Sequence, residues 1–456
     1  MARASSGDGF LCSGCGATAA KWLGRCASCG AWGTLEAVAP VPAARVAAPV
    51  AITSITAGPP LRFGSGMAGL DHVLGGGWVR GACVLLGGDP GIGKSTLLLQ
   101  AAVHAARAAR RVIYATGEET AEQVGLRAVR LNAVDPRLHV LAATDAEVIA
   151  SVIERERPEL VIVDSVQMVQ LASAAGVPGS VSQVRACACR FIAAAKASGA
   201  ALVLVGHVTK DGQLAGPKLL EHAVDVVLSF EGERSTSHRV LRGTKNRFGS
   251  TDEIVVLEMA AAGLRVVDDP SAVLGSNTTE PGAAVAVVVE GSRPYLIEVQ
   301  ALVGPRTERS AHIRVTGLEF GRVALVAAVL DRNAPLDLMR RDIFVKTAGN
   351  LCVADPGVDL AWLVALGSAA WSKAVPERMS FAGEVGLTGE IRRVPRCIVR
   401  AREALRLGLR VLVMPAATPV DDVPAAGAEP VRHVRDVLAL IAPRRQELFS
   451  NAPRSS

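Results

Sequence analysis

Aromatic side chains are scarce: they make up 4% of the 456 residues, with only 2 Tyr. Rows of stacking rings for nucleobases are therefore not advertised by the composition. Also missing are an unbroken apolar run of about 18 residues, the minimum for a spanning helix, and a basic stretch leading into a long apolar core, the mark of a secretion signal. These absences lead to the expectation of a cytoplasmic protein with no membrane contact. Strong charge of one sign is absent too, since 49 Lys and Arg face 43 Asp and Glu for a net +6. Such an excess permits nucleic-acid binding without arguing for it. What the chain does have is apolar material, 50% of its residues, enough for two or three cores at about 150 residues each. The 9 cysteines are an odd number, and with no secretion signal they point to reduced thiols or metal ligands instead of a disulfide framework.

The most informative stretch is Gly87 to Thr96, reading Gly-Gly-Asp-Pro-Gly-Ile-Gly-Lys-Ser-Thr between an apolar run at 82–86 and helix-forming residues at 97–100. A strand, a glycine turn and a helix form the context of a phosphate-binding loop. Gly88, Gly91 and Gly93 let backbone N–H groups converge, and the helix N-terminus adds its dipole there. Candidate ATP ligands are Gly88, Asp89, Pro90, Gly91, Ile92, Gly93, Lys94, Ser95 and Thr96. Lys94 would reach the β- and γ-phosphates, and Ser95 would ligate Mg²⁺.

Upstream, Cys12, Cys15, Cys26 and Cys29 form two Cys-x-x-Cys knuckles around an excursion containing Trp22 and Gly24. Four thiolates at this spacing suit a structural Zn²⁺, whereas a redox motif needs only one knuckle. Lys21, Arg25 and Trp22 are either contacts for DNA or a partner, or a solvated Lys and a packing Trp. The Ala-, Pro- and Val-rich stretch at 37–60 reads as a linker.

After the phosphate loop comes a helix to about residue 109, then a strand at 111–116 ending in Gly117-Glu118-Glu119. Acids at a strand's carboxyl end can polarise water or cap the helix that follows at 120–131; Glu118 is the better base candidate. The strand 160–164 ends in Asp164, placed to hold Mg²⁺. A strand at 200–206 leads to His207 and Thr209, either γ-phosphate sensors or loop hydrogen-bonding groups. Residues 214–224 read as a flexible basic loop, and 226–230 as a further strand. Strands alternating with helices predict a mainly parallel α/β sheet. Arg242 to Ser250 reads as a basic turn in which Lys245 and Arg247 would neutralise phosphate, of DNA or of a neighbour's nucleotide, or form an ordinary charged hairpin. Beyond residue 285 a hairpin and a second α/β unit follow, without a second phosphate loop.

In this order, the four-cysteine ribbon, Gly-Asp-Pro-Gly-Ile-Gly-Lys-Ser-Thr, Lys-Asn-Arg-Phe-Gly at 245–249 and the C-terminal unit resemble the RadA (Sms) family of bacterial DNA repair proteins. The resemblance implies a zinc ribbon at 1–36, the linker, a RecA-like P-loop ATPase core at 61–270 and a Lon-protease-like α/β domain at 271–456. It further implies hexameric rings, binding of single-stranded and branched DNA, branch migration, a bacterial recombinase as partner, and Lys245 and Arg247 coupling ATP to DNA across a subunit interface. The Lon-like segment 354–361 holds no Ser, and 393–398 holds no Lys, so the Ser-Lys dyad of such proteases is missing. Ser368, Ser372 and Lys373 lie nearby, the last two as neighbours on a predicted helix. Arg306, Arg309, Arg314, Arg392, Arg393 and Arg396 would either track DNA phosphates or form a solvated basic surface.

Overall fold

Residues 83–88 carry apolar side chains and glycine without a break, and the strand they form, Cys83–Gly88, is buried along its whole length. In a computed structural model this strand lies inside a nine-stranded sheet. The structure describes residues 10–12, 18–19, 21–37, 51, 61–207, 218–232, 237–251, 253–275, 280–307, 312–334, 336–419 and 427–442. The chain divides into two units, Met1–Pro59 and Pro60–Ser456.

In the first unit, Phe10–Cys12 pairs antiparallel with both Thr18–Ala19 and Leu35–Ala37. Cys12, Cys26 and Leu35 make its small core. A tight turn is closed by the Gly30 N–H donating to the Cys26 carbonyl at 2.9 Å. Arg25 lies over the Trp32 ring at 5.8 Å, while Trp22 is 59% exposed.

In the second unit, six parallel strands run in the order Leu138–Ala142, Val112–Thr116, Leu160–Asp164, Ala201–His207, Cys83–Gly88 and Val226–Glu231. Three antiparallel strands, His238–Asn246, Ile254–Ala260 and Gly263–Val266, extend the last edge. Parallel neighbours require crossovers, and the helices Lys94–Arg107, Ala121–Arg130, Ala146–Glu156 and Val181–Ser198 supply them. Both faces of the sheet are covered by apolar clusters, as buried parallel strands demand.

Two local expectations are corrected. Lys218–Ala223 is a short helix where the sequence suggests a flexible loop. The basic turn is shorter than the sequence suggested, because the His238–Asn246 strand continues through Lys245. The reason is cross-strand pairing: Val227 sits opposite Lys245 and Val226 opposite Asn246, so the ladder holds the chain extended past the charge.

Residues beyond 280 build a seven-stranded mixed sheet, ordered Ile313–Thr316, Arg341–Thr347, Arg293–Arg306, Ala283–Glu290, Met379–Phe381, Val411–Pro415 and Ala428–Val431. The helix Asp359–Trp371 packs on it and is buried from Asp359 through Ser368. Asp355 and Arg400 form a fully buried ion pair at 2.6 Å. The two sheets are bonded to each other. Arg242 reaches Glu290 at 2.7 Å, and Glu253 accepts hydrogen bonds from the Ser292 N–H and hydroxyl, both at 3.0 Å. Val240, Ile254 and Val256 of the first sheet share one apolar cluster with Val288, Tyr295 and Ile297 of the second. Among the described residues no helix is long and apolar enough to cross a membrane.

The Ala121–Arg130 helix starts on a capping box: the Thr120 side chain accepts from the Gln123 N–H, and the Gln123 side chain accepts from the Thr120 N–H. Glu118 and Glu119 are therefore not needed as caps. Thr120→Ala is expected to lower unfolding free energy by about 1 kcal/mol, read from urea denaturation, and Thr120→Ser to restore most of it.

Candidate functional site: a phosphate-loop cleft

The loop after Cys83–Gly88 turns directly into the Lys94–Arg107 helix. Its last turn depends on Gly93, whose φ of 118° is left-handed and where a Cβ would stand 2.7 Å from the Met259 methyl. No side chain caps this helix, so its first N–H groups remain available to an anion. Ile92 is buried as an apolar anchor of the loop, and its carbonyl accepts from Arg239 Nε at 3.1 Å. Lys94 Nζ donates to the carbonyls of Gly88 at 2.7 Å and Asp89 at 2.9 Å. Burial lowers the Lys94 pKa, against the opposing pull of Asp164, Glu118 and Asp89.

Facing the loop across a cleft of about 330 Å³ stand Thr116, Glu118, Glu119, Arg127, Arg130 and Asp164. The volume lies at the lower end for small-molecule sites. Sheet order explains the convergence: Thr116 and Asp164 are register partners at the carboxyl ends of adjacent strands. The Thr116 hydroxyl accepts the N–H groups of Glu118 at 3.3 Å and Glu119 at 3.1 Å, fixing the acidic turn. The two glutamates then diverge. Glu118 accepts from the Ser165 hydroxyl, beside Asp164, whereas Glu119 is ion-paired with Arg127. Asp164 also accepts from the Tyr114 hydroxyl. Burial, then the Asp164 charge, raises the Tyr114 pKa well above its ordinary value, while a hydrogen bond with Ser95 opposes this. Ser95 and Asp164 both line this cleft, and an alcohol with a carboxylate is the hard oxygen donor set that suits Mg²⁺.

Sequence reasoning missed Tyr114, Arg127, Arg130 and Arg239. The only signal was a phenol inside an otherwise apolar strand and two basic residues three apart on one helix.

Lys245 and Arg247 are not at this cleft. Phe230 is the register partner of Gly88, at the loop end of the sheet, and Val226 pairs with Val84 on one side and Asn246 on the other. The basic residues thus lie at the opposite end, about 13 Å away over four parallel steps of about 3.3 Å. Lys245 Nζ donates to the carbonyls of Glu221 at 2.5 Å and Val224 at 2.7 Å. Arg247 is 58% exposed, with Asp225 at 3.2 Å. His207 ends its strand as register partner of Gly88; Thr209 lies outside the described residues.

In the first unit, the sulfurs of Cys12, Cys26 and Cys29 all lie within 4.8 Å of one another; Cys15 lies outside the described residues. Backbone N–H groups at Cys29 and Ser28 hold the Cys26 thiol below its ordinary pKa, favouring the thiolate. Soft sulfur donors this close fit Zn²⁺.

Toward the C-terminus, Arg314 borders a groove of about 620 Å³ with Phe344 and Lys346, and Arg306 is exposed and paired with Asp337 at 2.9 Å. Arg309 lies outside the described residues. Arg392 is engaged by Glu390 and Glu384, and Arg396 donates to the Gly291 carbonyl. The Ser368 hydroxyl donates to the Lys373 carbonyl at 2.5 Å, and Lys373 Nζ donates to the Ala442 carbonyl at 3.3 Å. The helix expected to include Ser372 and Lys373 closes at Trp371, with Ser372 left-handed behind it.

A glycine loop entering a helix, with carboxylates converging from two neighbouring strands, is the form of a phosphate-loop nucleotide site, and residues 64–213 match the AAA domain family, which makes this an ATPase domain of that class. Residues 10–37 match the rubredoxin metal binding domain. The chain is 43% identical to DNA repair protein RadA of Bacillus subtilis over 422 residues, covering 90% of this chain and 92% of that protein. Its identity to DNA repair protein RadA of Listeria monocytogenes is 42%, covering 91% and 93% of the two chains, and to that of Brucella abortus 43%, covering 89% and 91%. The chain belongs to the RadA family of DNA repair proteins.

Proposed function

We propose that the chain is an ATP-driven DNA motor of recombinational repair, working in the cytoplasm as a ring of identical subunits on single-stranded and branched DNA. The observation that carries this reading is the division of labour across one sheet: an ATP cleft at one end and an exposed arginine at the other. A head-to-tail contact between copies would bring one subunit's arginine to the next subunit's cleft, and such contacts close into rings. Six subunits and a recombinase partner are the expectation from the family.

In the cleft, Gly91, Gly93 and Thr96 present backbone N–H groups to the phosphates, and Lys94 reaches the terminal ones. Ser95 and Asp164 would hold Mg²⁺, which would supply neutralisation of phosphate charge. Glu118, held by the Ser165 hydroxyl, orients the attacking water and takes its proton. Lys245 and Arg247 of the neighbour stabilise the transferred charge. Arg306, Arg309 and Arg314 contribute phosphate contacts to DNA. The C-terminal unit is a Lon-like platform that does not cleave peptides.

The test is branch migration on forked DNA with ATP and with a non-hydrolysable analogue. Movement with ATP alone supports the motor. Equal outcomes with both nucleotides, or ATP turnover indifferent to single-stranded DNA, would leave a regulatory ATPase or scaffold instead.

A further inference from the structure

Arg127 and Arg130 are three residues apart on the Ala121–Arg130 helix, so they share a face, and both border the phosphate-loop cleft. Neither is needed to start the helix or to bury its apolar face. The helix is capped by Thr120 and Gln123 and buries Val124 and Ala128 instead. Arg130 is exposed and has no hydrogen-bond or ion-pair partner among the described residues. Arg127 is tied through Nη2 to Glu119, while its Nη1 is buried with no hydrogen-bond partner. A buried guanidinium nitrogen left without an acceptor is costly, and its remedy is an anion. The guanidinium lines the same cleft as Lys94, Ser95 and Asp164.

We propose that Arg127 and Arg130 form a wall within the same subunit that recognises the terminal phosphate of a nucleoside triphosphate, with Glu119 as the competing partner that Arg127 exchanges for phosphate oxygens. Guanidinium suits this exchange, because its planar fork pairs equally well with carboxylate and phosphate. Arg127 satisfies Nη1 in the exchange, and Glu119 turns to solvent. A diphosphate offers no terminal oxygens at that depth, so the exchange separates ATP from ADP. The inference rests on the reading of this cleft as the ATP site and adds the contact that tells the two nucleotides apart. It gives Glu119 a task different from that of Glu118.

The experiment is equilibrium binding of fluorescent ADP and of a fluorescent non-hydrolysable ATP analogue, with Mg²⁺, to the full chain. Arg127→Ala should weaken the triphosphate about tenfold or more while changing ADP less than about threefold, the scale of one charge-assisted hydrogen bond. Arg130→Ala should act in the same direction more weakly, and Arg127→Lys should fall between. Glu119→Gln should tighten the triphosphate selectively, because the competitor is gone. Equal losses for both nucleotides in Arg127→Ala, or an unchanged ratio in Glu119→Gln, would overturn the proposal. If Arg127→Ala unfolds, Glu119→Gln and Arg127→Lys decide alone. A wild-type chain that binds neither nucleotide would bring down the ATP-site reading as well. A wild-type chain that binds both, with variants of unchanged selectivity, would remove only the arginine wall.

Discussion

Lys94→Ala is expected to reduce ATP turnover at saturating Mg²⁺ and ATP by at least about 100-fold, the loss typical when one preorganised charge donor is removed. Lys94 is the first residue of the Lys94–Arg107 helix and is buried at 4% exposure, so its ammonium has a short reach and little freedom. It already donates to the Gly88 and Asp89 carbonyls, which places Nζ on the concave side of the loop. No neighbour can take over. Arg127 approaches from the opposite wall of the cleft and cannot replace a cation seated in the loop, and Arg239 holds the Ile92 carbonyl. The Gly88 and Asp89 carbonyls become accessible to water when the side chain is shortened, so folding should survive. Phosphate release by the variant, beside its circular dichroism and melting temperature, decides the matter. Turnover within about tenfold of wild type in a folded variant would show that the cleft is not the hydrolytic site.

The parts legible in the sequence are those set by local chain chemistry. An apolar run, a glycine turn and helix formers led to the Cys83–Gly88 strand and the Lys94–Arg107 helix within a residue or two. The strand ending in Asp164 was equally plain, because a carboxylate after four apolar residues has one natural place, at the strand's end. What stayed hidden depends on which strands become neighbours. The Tyr114 and Asp164 contact exists because Val112–Thr116 lies beside Leu160–Asp164 in register, and nothing within either segment encodes that pairing. Arg127 suffers the same fate: its spacing to Arg130 is visible, but the cleft it borders is made by a loop about thirty residues upstream. Arg242 shows the opposite error. The sequence puts it in a basic turn, yet Glu290 and Glu231 hold it charged against the pull of burial, bonding the two sheets.

Arg247→Ala should lower turnover by about 10³, the low end for a charge donated across an interface by an arginine, and should do so without weakening ATP binding to a single subunit. Being 58% exposed and paired only with Asp225 among the described residues, the side chain contributes little to folding, since exposed ion pairs are worth about 0–1 kcal/mol. Its position at the far end of the sheet from the loop excludes action in its own cleft, so the defect must be repairable by a neighbour. Mixing it with Lys94→Ala tests this. Each variant alone is inactive, but an Arg247→Ala subunit keeps an intact cleft and a Lys94→Ala subunit keeps an intact arginine. When a head-to-tail ring assembles at random from equal amounts, about one interface in four pairs the intact halves. Turnover should therefore rise to about a quarter of wild type if sites act independently, with less for a strictly concerted ring. Neither outcome is available to a monomeric ATPase, whose mixtures would stay as inactive as their parts. A mixture without recovery, in subunits shown to exchange, would place the arginine's work on DNA alone. The phosphate-loop cleft would then have to complete its chemistry with groups of its own chain.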